Sequence, residues 1–211
     1  MDRDPVTIDW AGYQPYRTGS TKPPKALSRK EARRVYEHCM ASRPQRREML
    51  ARLLGSSGIA LAASDSGIQE LNDWFLQHLE PDPDRPGRLG GEWYSVCHDI
   101  GLFLGDTMIE RHPKLHWEFF VWGKTSNAFQ RHVIMGFSTE DPKRHTNLDI
   151  DGSVATYGHR VVESRGSVPT YGTVTVRGVE LDVNAVAARH RARAVETDAF
   201  HRWLQTAARR A

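Results

Sequence analysis

The segment from Glu92 to His112 constrains the fold more than any other part of this 211-residue chain. Apolar residues recur in it at three- and four-residue intervals, and Pro113 ends the run. This spacing predicts one long helix that is buried on most of its sides. Gly101 and Gly105 share one face of that helix, where each costs about 1 kcal/mol relative to alanine. We therefore expect another backbone, most simply that of a sheet, to approach this face closely.

Strands are expected after this helix, because the sequence changes to a two-residue period. Residues 115–122 alternate between two faces, and residues 129–137 return after a polar turn. Further strands are predicted near 153–162 and at 171–177, the latter paired with 179–183 through a tight turn at 177–178. Together these segments predict an antiparallel sheet of about four or five strands.

Helices are predicted on both sides of this core. Ser28 and Glu31 have the spacing of a capping box, which predicts a helix over 29–41. Ser42, followed by Pro44, predicts the start of a second helix, which Gly55 would end. A third helix is predicted over 66–80 and one or two more over 183–209, whereas residues 81–88 are predicted to be a loop.

The fold class that follows is α+β, with N-terminal helices, a buried central helix packed on the antiparallel sheet, and C-terminal helices. We expect a single domain over residues 28–211, preceded by an extended arm over residues 1–27. The arm contains four prolines and no regular period. Its aromatic residues Trp10, Tyr13 and Tyr16 nevertheless indicate that part of it is held against the body of the protein.

Composition excludes several classes of protein. The chain has no run of about 18 apolar residues, so no membrane-spanning helix is expected. Its acidic first residues are unlike a secretory signal, and we expect a cytoplasmic protein. Cys39 and Cys97 are too few for a disulfide scaffold, and both fall in apolar helical surroundings. A small buried structural thiol is the simplest interpretation of each.

Charge is distributed unevenly along the chain. Residues 1–60 carry a net charge of +6, residues 61–186 carry −7 and residues 187–211 carry +4, within a total of +3. The basic ends are compatible with contacts to nucleic-acid phosphates. Because they do not form the dense block that is typical of a nucleic-acid-binding arm, packing of the basic ends against the acidic middle is the simpler interpretation.

Histidine and acidic residues are concentrated on and after the central helix. The candidates for catalytic residues of a metal-assisted hydrolase are His98, Asp99, Asp106, His112 and His116. Zinc would need three or four such ligands around one ion, and Pro113 prevents His112 and His116 from projecting from adjacent helical turns. A solvated acidic stripe on a half-buried helix explains the same pattern. We therefore predict no metal and no cofactor.

A protein-binding surface is the function that the residues favour. Tyrosine, tryptophan and arginine dominate protein interfaces, and the predicted strands 115–122 and 129–137 are rich in aromatic and basic side chains. We expect a protein partner to bind this sheet face. The candidate binding residues are Phe120, Trp122, Lys124, Gln130, Arg131 and His132.

Three motifs resemble those of an uncharacterised bacterial family of small α+β domains. They are Asp99-Ile-Gly-Leu-Phe-Leu-Gly-Asp106, His112-Pro-Lys-Leu-His-Trp-Glu118 and Gln130-Arg-His-Val-Ile-Met-Gly-Phe137, and the resemblance covers about residues 28–160. Some similar small proteins are encoded near polymorphic toxins and act as immunity or partner-binding proteins. The resemblance implies a non-catalytic protein-binding or regulatory module of a bacterial cytoplasm. Metal-assisted hydrolysis and nucleic-acid binding through the basic ends remain the alternatives.

Overall fold

The computed structural model describes residues 8–139, 145–165, 173–176, 179–182 and 195–211. In chain order, its elements are a 3-10 turn at Pro24–Ala26, α1 (Arg29–Ser56), α2 (Asp65–His78), β1 (Pro81–Asp82), β2 (Arg85–Leu89), α3 (Gly91–Arg111), β3 (His116–Phe119), β4 (His132–Met135), α4 (Ile150–Arg165), β5 (Thr173–Val176), β6 (Val179–Asp182) and α5 (Ala199–Ala208). The predicted combination of helices and antiparallel strands is confirmed.

The strands form three separate antiparallel hairpins, β1 with β2, β3 with β4 and β5 with β6. The prediction of one sheet of four or five strands is therefore wrong. The segment predicted as a strand at 153–162 lies within α4, where Val154, Tyr157 and Val161 recur at helical spacing and are all buried. The segment predicted as a loop at 81–88 contains the first hairpin. The pairing of 171–177 with 179–183 is confirmed as β5 with β6, but the turn at 177–178 lies outside the described residues.

Helix α1 starts where the capping box predicts, with the Ser28 side chain and the Glu31 side chain each capping the other's backbone N–H. It does not end near residue 41, because Pro44 lies inside the continuous helix. Proline removes the bond to the carbonyl four residues earlier. The Arg43 Nε donates to that Met40 carbonyl at 3.2 Å and replaces part of what is lost.

The end of α1 also differs from the prediction. Gly58, at φ +76°, provides the left-handed residue after the helix. The backbone N–H of Ile59 donates to the Leu54 carbonyl, and that of Gly58 donates to Gly55, as in a Schellman motif. Gly55 thus lies in the last turn of the helix and does not end it. Helix α2 begins with the Ser64 side chain accepting from the Gly67 N–H.

Helix α3 is the centre of the molecule, as predicted, and packs on α1, α4 and α5. Its two glycines allow close approaches of different kinds. A Cβ on Gly105 would lie 2.2 Å from the ring of Trp117 on β3, which is the predicted contact with a strand. A Cβ on Gly101 would lie 2.4 Å from the Asp151 carboxylate and 2.9 Å from its Cα. The backbone that approaches Gly101 therefore belongs to helix α4 and not to a sheet.

Residues 8–27 lie across α1 and α3. Ile8 and Tyr13 are buried in the main core, and Trp10 packs on Trp93 with ring centroids 5.7 Å apart. Among the described residues, no helix is both long and apolar enough to cross a membrane. The helix predicted over 183–209 is present as α5, and residues 183–194 lie outside the described part of the chain.

Candidate metal centre

Three metal-ligand side chains from three separate elements meet beside α1. The Cys39 thiol of α1 lies 3.9 Å from Nε2 of His98 on α3 and 3.7 Å from Nδ1 of His132 on β4. All three of these atoms lie within 4.8 Å of one another. Cys39 is only 2% exposed, and both imidazoles are mostly buried. We call this group, together with Asp151, the Cys39 centre.

Asp151 on α4 contacts both histidines from the side opposite to the thiol. Nδ1 of His98 donates to Oδ2 of Asp151 at 2.7 Å, and Nε2 of His132 donates to the same oxygen at 2.5 Å. One carboxylate oxygen therefore takes one N–H from each ring. The other nitrogen of each ring faces Cys39, where it can carry a proton or bind a metal ion.

The fold brings these four residues together through specific local features. Gly101 lies one turn after His98 on α3, and its missing side chain makes room for Asp151. His132 is the first residue of β4, directly after a loop in which Gln130 has a positive φ of +62°. The Gln130 amide donates to the Pro24 and Leu27 carbonyls, which ties this loop to the start of α1.

The protonation of the centre follows from these contacts. Burial alone would lower the pKa of both imidazoles, but the Asp151 carboxylate outweighs it and raises the pKa to about 9 for His98 and about 10 for His132. Burial alone would raise the pKa of the Cys39 thiol, but His132 and His98 outweigh it and lower that pKa to about 7. Burial also opposes the charge on Asp151, yet the two imidazoles hold its pKa far below its usual range.

Cys97 shows what an ordinary buried thiol looks like in the same protein. Burial, followed by the charges of Asp151 and Asp99, raises the pKa of the Cys97 thiol well above its usual range. The thiolate is the form that binds metals and attacks substrates. Of the two cysteines, only Cys39 therefore has surroundings that favour this form.

The distances are close to those of a mononuclear zinc site. With Zn–S at about 2.3 Å and Zn–N at about 2.0–2.1 Å, a tetrahedral ion would hold sulfur and nitrogen about 3.5–3.6 Å apart. The two sulfur–nitrogen distances in the Cys39 centre, 3.9 and 3.7 Å, exceed this by a few tenths of an ångström. Zinc-bound histidines commonly donate their second N–H to a carboxylate, and Asp151 accepts both.

A second buried cluster lies next to the Cys39 centre, because Asp99 follows His98 on α3. Arg46 donates to both oxygens of Asp99, at 2.7 and 2.6 Å, and the Tyr13 hydroxyl donates to Asp99 at 2.5 Å. A further guanidinium N–H donates to the Gln14 carbonyl of the arm at 2.8 Å. We call this group the Arg46 cluster. It places the predicted catalytic candidate Asp99 in a bidentate ion pair.

The other predicted catalytic candidates do not converge on the Cys39 centre. Asp106 accepts from Arg43 at 2.5 Å and from the Trp117 indole at 2.8 Å. His112 caps the end of α3, and His116 contacts Glu118 at the surface of β3. Of the five predicted residues, the structure places only His98 in the centre.

The predicted binding residues separate into different environments. Trp122 is 46% exposed and stacks on His145 with ring centroids 4.0 Å apart, and Lys124 is exposed on the same turn. Phe120 and Gln130 are buried, and Arg131 pairs with Asp149 at 2.7 Å. His132 belongs to the Cys39 centre. These six residues therefore do not form one continuous exposed face.

Three arginines of α1 pair with acidic residues of α3. Arg43 pairs with Asp106, Arg46 with Asp99, and Arg47 with Glu110. This is the contact between a basic end and the acidic middle that the charge distribution suggests. The basic residues at 189, 191 and 193 lie outside the described part of the chain.

Sequence reasoning missed Cys39 and Asp151 as members of a site. Cys39 is 59 residues from His98 and 93 from His132, so no local spacing motif links them. Asp151 lies just before the segment 153–162 that was predicted as a strand, and it is in the first turn of α4. The available signal was Gly101, which requires a close neighbour, but the sequence does not say that this neighbour carries a carboxylate.

No model of a known protein family, no curated protein and no solved structure matches this chain. The function therefore has to be inferred from the geometry and chemistry of the site itself.

Proposed function

We propose that this protein is a metal-binding protein whose Cys39 centre holds one Zn²⁺-type ion for metal-assisted hydrolysis. The observation that carries the proposal is the shared carboxylate. Because Asp151 accepts one N–H from each imidazole, His98 and His132 direct their remaining nitrogens at the same thiol. A thiolate and two imidazoles form an S/N donor set of the kind that zinc prefers.

The arrangement requires a positive charge between its three donor atoms. With neutral rings, two nitrogen lone pairs and a sulfur lone pair would face one another at 3.7 and 3.9 Å. Protons on the two nitrogens or a metal cation can relieve this repulsion. A metal ion binds all three donors at once and releases the protons.

A thiol nucleophile is the main chemical alternative, and three features argue against it. Cys39 lies in the interior of α1, where the backbone N–H groups are bonded within the helix and are not free to stabilise an oxyanion. The thiol is almost completely buried. A Cys–His pair needs one imidazole as its base, whereas two imidazoles face Cys39.

Three protein ligands leave a fourth position of a tetrahedral ion for water or substrate. Cys39, His98 and His132 would hold the ion, and Asp151 would keep both rings in the correct tautomer and orientation. The ion would supply Lewis-acid activation of a water as nucleophile at neutral pH. The charges of one thiolate and one carboxylate balance those of the divalent ion.

The proposal is tested by zinc binding to the purified chain in competition with a chromophoric chelator. We expect one zinc ion per chain, and cobalt loading should give an absorption band from thiolate-to-metal charge transfer. Cys39→Ser, His98→Ala and His132→Ala should each weaken binding by more than the about 10- to 100-fold that follows loss of a second-shell partner.

The matched control is Cys97→Ala, which removes the other buried cysteine and leaves the centre intact. It should bind zinc like the unmodified chain and keep the charge-transfer band. If the folded protein binds no zinc, or if Cys97→Ala abolishes binding and Cys39→Ser does not, the Cys39 centre is not the metal site.

A second candidate function is binding of a protein partner at Trp122. Trp122 and Tyr94 are the two exposed large hydrophobic side chains among the described residues, at 46% and 44%. Trp122, with Lys124 beside it, supports the partner surface that the sequence favours. Trp122→Ala should lose a partner that Tyr94→Ala retains, as measured by pull-down and by binding of the isolated partner. Retention by both variants would remove this candidate.

A further inference from the structure

Residues 8–27 place an aromatic side chain directly over the Cys39 centre. The ring of Tyr16 stacks on the imidazole of His98, with centroids 4.1 Å apart and planes 14° from parallel. His38 of α1 also lies near this ring, with centroids 6.0 Å apart. Tyr16 therefore lies between α1 and α3, at the same junction as the Cys39 thiol.

Several contacts hold Tyr16 in this position. Its backbone N–H donates to the Ser95 hydroxyl of α3 at 2.9 Å. Two residues earlier, the Gln14 carbonyl accepts from Arg46, and Tyr13 donates to Asp99. The Arg46 cluster thus anchors the arm at Tyr13 and Gln14, and Ser95 holds it at Tyr16, so movement of the ring away from the centre requires these contacts to break.

The hydroxyl of Tyr16 has a property that a packing residue would not need. Its oxygen is buried, and within the described part of the chain it has no hydrogen-bond partner of acceptable geometry. A buried unpaired hydroxyl is destabilising, so native proteins rarely keep one without a reason. The Cys39 thiol and the Ser42 hydroxyl are its polar neighbours.

We infer that the Tyr16 hydroxyl closes the fourth coordination position of the metal in the Cys39 centre, and that the arm must move before an external ligand can reach the ion. This inference rests on the proposed metal centre. It assigns a partner to the unpaired hydroxyl, which binds the ion or donates to a water on it. It also makes residues 8–27 a cover whose displacement opens the site.

The test uses the full chain loaded with Co²⁺ and titrated with thiocyanate, a small anion that binds an open metal position. The unmodified protein should show little change in its visible spectrum. Tyr16→Phe keeps the ring and removes the hydroxyl, so its spectrum should respond to thiocyanate with an affinity at least about tenfold higher, the effect of one lost polar contact. Tyr94→Phe, at an exposed tyrosine on α3, is the matched control and should behave like the unmodified protein.

The outcomes separate the two proposals. If both proteins bind Co²⁺ and respond equally to thiocyanate, Tyr16 does not close the site, and the metal centre stands alone. If Tyr16→Phe remains folded but loses Co²⁺ that the unmodified protein binds, Tyr16 is a direct ligand, which supports the inference. If neither folded protein binds Co²⁺, the metal centre fails and this inference fails with it.

Discussion

The Cys39 centre and the Arg46 cluster are adjacent, since His98 and Asp99 are consecutive on α3. They differ in how completely their buried polar atoms are hydrogen-bonded. Both oxygens of Asp99 accept hydrogen bonds from Arg46, and Tyr13 adds a third. In the Cys39 centre, Oδ1 of Asp151 and the Tyr16 hydroxyl have no partner within the described residues. Two imidazole nitrogens also converge on one sulfur.

The difference separates a structural ion pair from a ligand site. A fully paired buried charge holds elements together and needs nothing from outside. Three metal-ligand atoms that converge on one buried point, with two polar atoms beside them left unpaired, indicate a position that a cation can occupy in place of their protons. The Arg46 cluster also contacts the arm through Gln14, so it positions the cover of its neighbour.

The largest expected effect is the loss of stability when the Arg46 cluster is broken. Arg46→Ala leaves the buried Asp99 carboxylate without its charge partner, which should lower the free energy of unfolding by about 3–5 kcal/mol. Urea denaturation would measure this loss. Arg52→Ala on the same helix, whose exposed ion pair with Glu48 is 3.9 Å long, should change stability by no more than about 0.5 kcal/mol. Equal effects of the two variants would show that the Arg46 cluster is not structural.

The next largest effect is the stabilisation of the folded protein by bound zinc. Zinc at 100 times its dissociation constant should stabilise the unmodified protein by about 2.7 kcal/mol, because it binds the folded state. Thermal unfolding with zinc and with chelator would measure the difference. Cys39→Ser should abolish the zinc-dependent increment, whereas Cys97→Ala should keep it. A zinc-dependent shift that survives in Cys39→Ser would place the metal elsewhere.

A smaller effect tests Asp151 as the residue that orients both rings. Asp151→Asn keeps all three ligands but removes the charged acceptor, so zinc affinity should fall by about 10- to 100-fold. Asp149→Asn is the control, since Asp149 lies two residues earlier and pairs with Arg131 instead. The chelator competition assay measures both. Equal zinc affinities for Asp151→Asn and the unmodified protein would exclude the orienting role.

The smallest effect is the pH dependence of the metal-free protein. The raised pKa values of His98 and His132, about 9 and about 10, give stability that is full below the ordinary histidine pKa and is lost as the pH rises through these values. The lowered pKa of Cys39, about 7, has the opposite effect, because its thiolate stabilises the folded protein as the pH rises above 7.

The protons held by the two histidines of the folded protein outnumber the one that Cys39 loses. The free energy of unfolding in the presence of chelator should therefore fall between pH 7 and about 9 to 10, by about 1.4 kcal/mol per pH unit for each extra proton that the folded state binds. Urea denaturation at several pH values would measure the slope, which Asp151→Asn should reduce. A slope that Asp151→Asn leaves unchanged would come from other groups.

Much of the secondary structure could be predicted because its signals are local. The capping box at Ser28 marks the start of α1, and the alternation after residue 115 marks the β3–β4 hairpin. The predictions failed where a local signal competed with packing. Pro44 and Ser42 resemble a helix boundary, but α1 continues through them and buries Leu50, Leu53 and Leu54 in the core. The valines of α4 favour a strand by propensity, but their helical spacing prevails.

A long buried helix with two glycines at the centre could be read from the sequence, since the period of apolar residues and the glycines act over a few neighbouring residues. The contact of Gly101 with a carboxylate, and the meeting of Cys39, His98 and His132 at one point, depend on how the elements pack. Coordination chemistry depends on distances of a few ångströms between residues far apart in the chain, and such distances exist only after the helices and the hairpin have packed together.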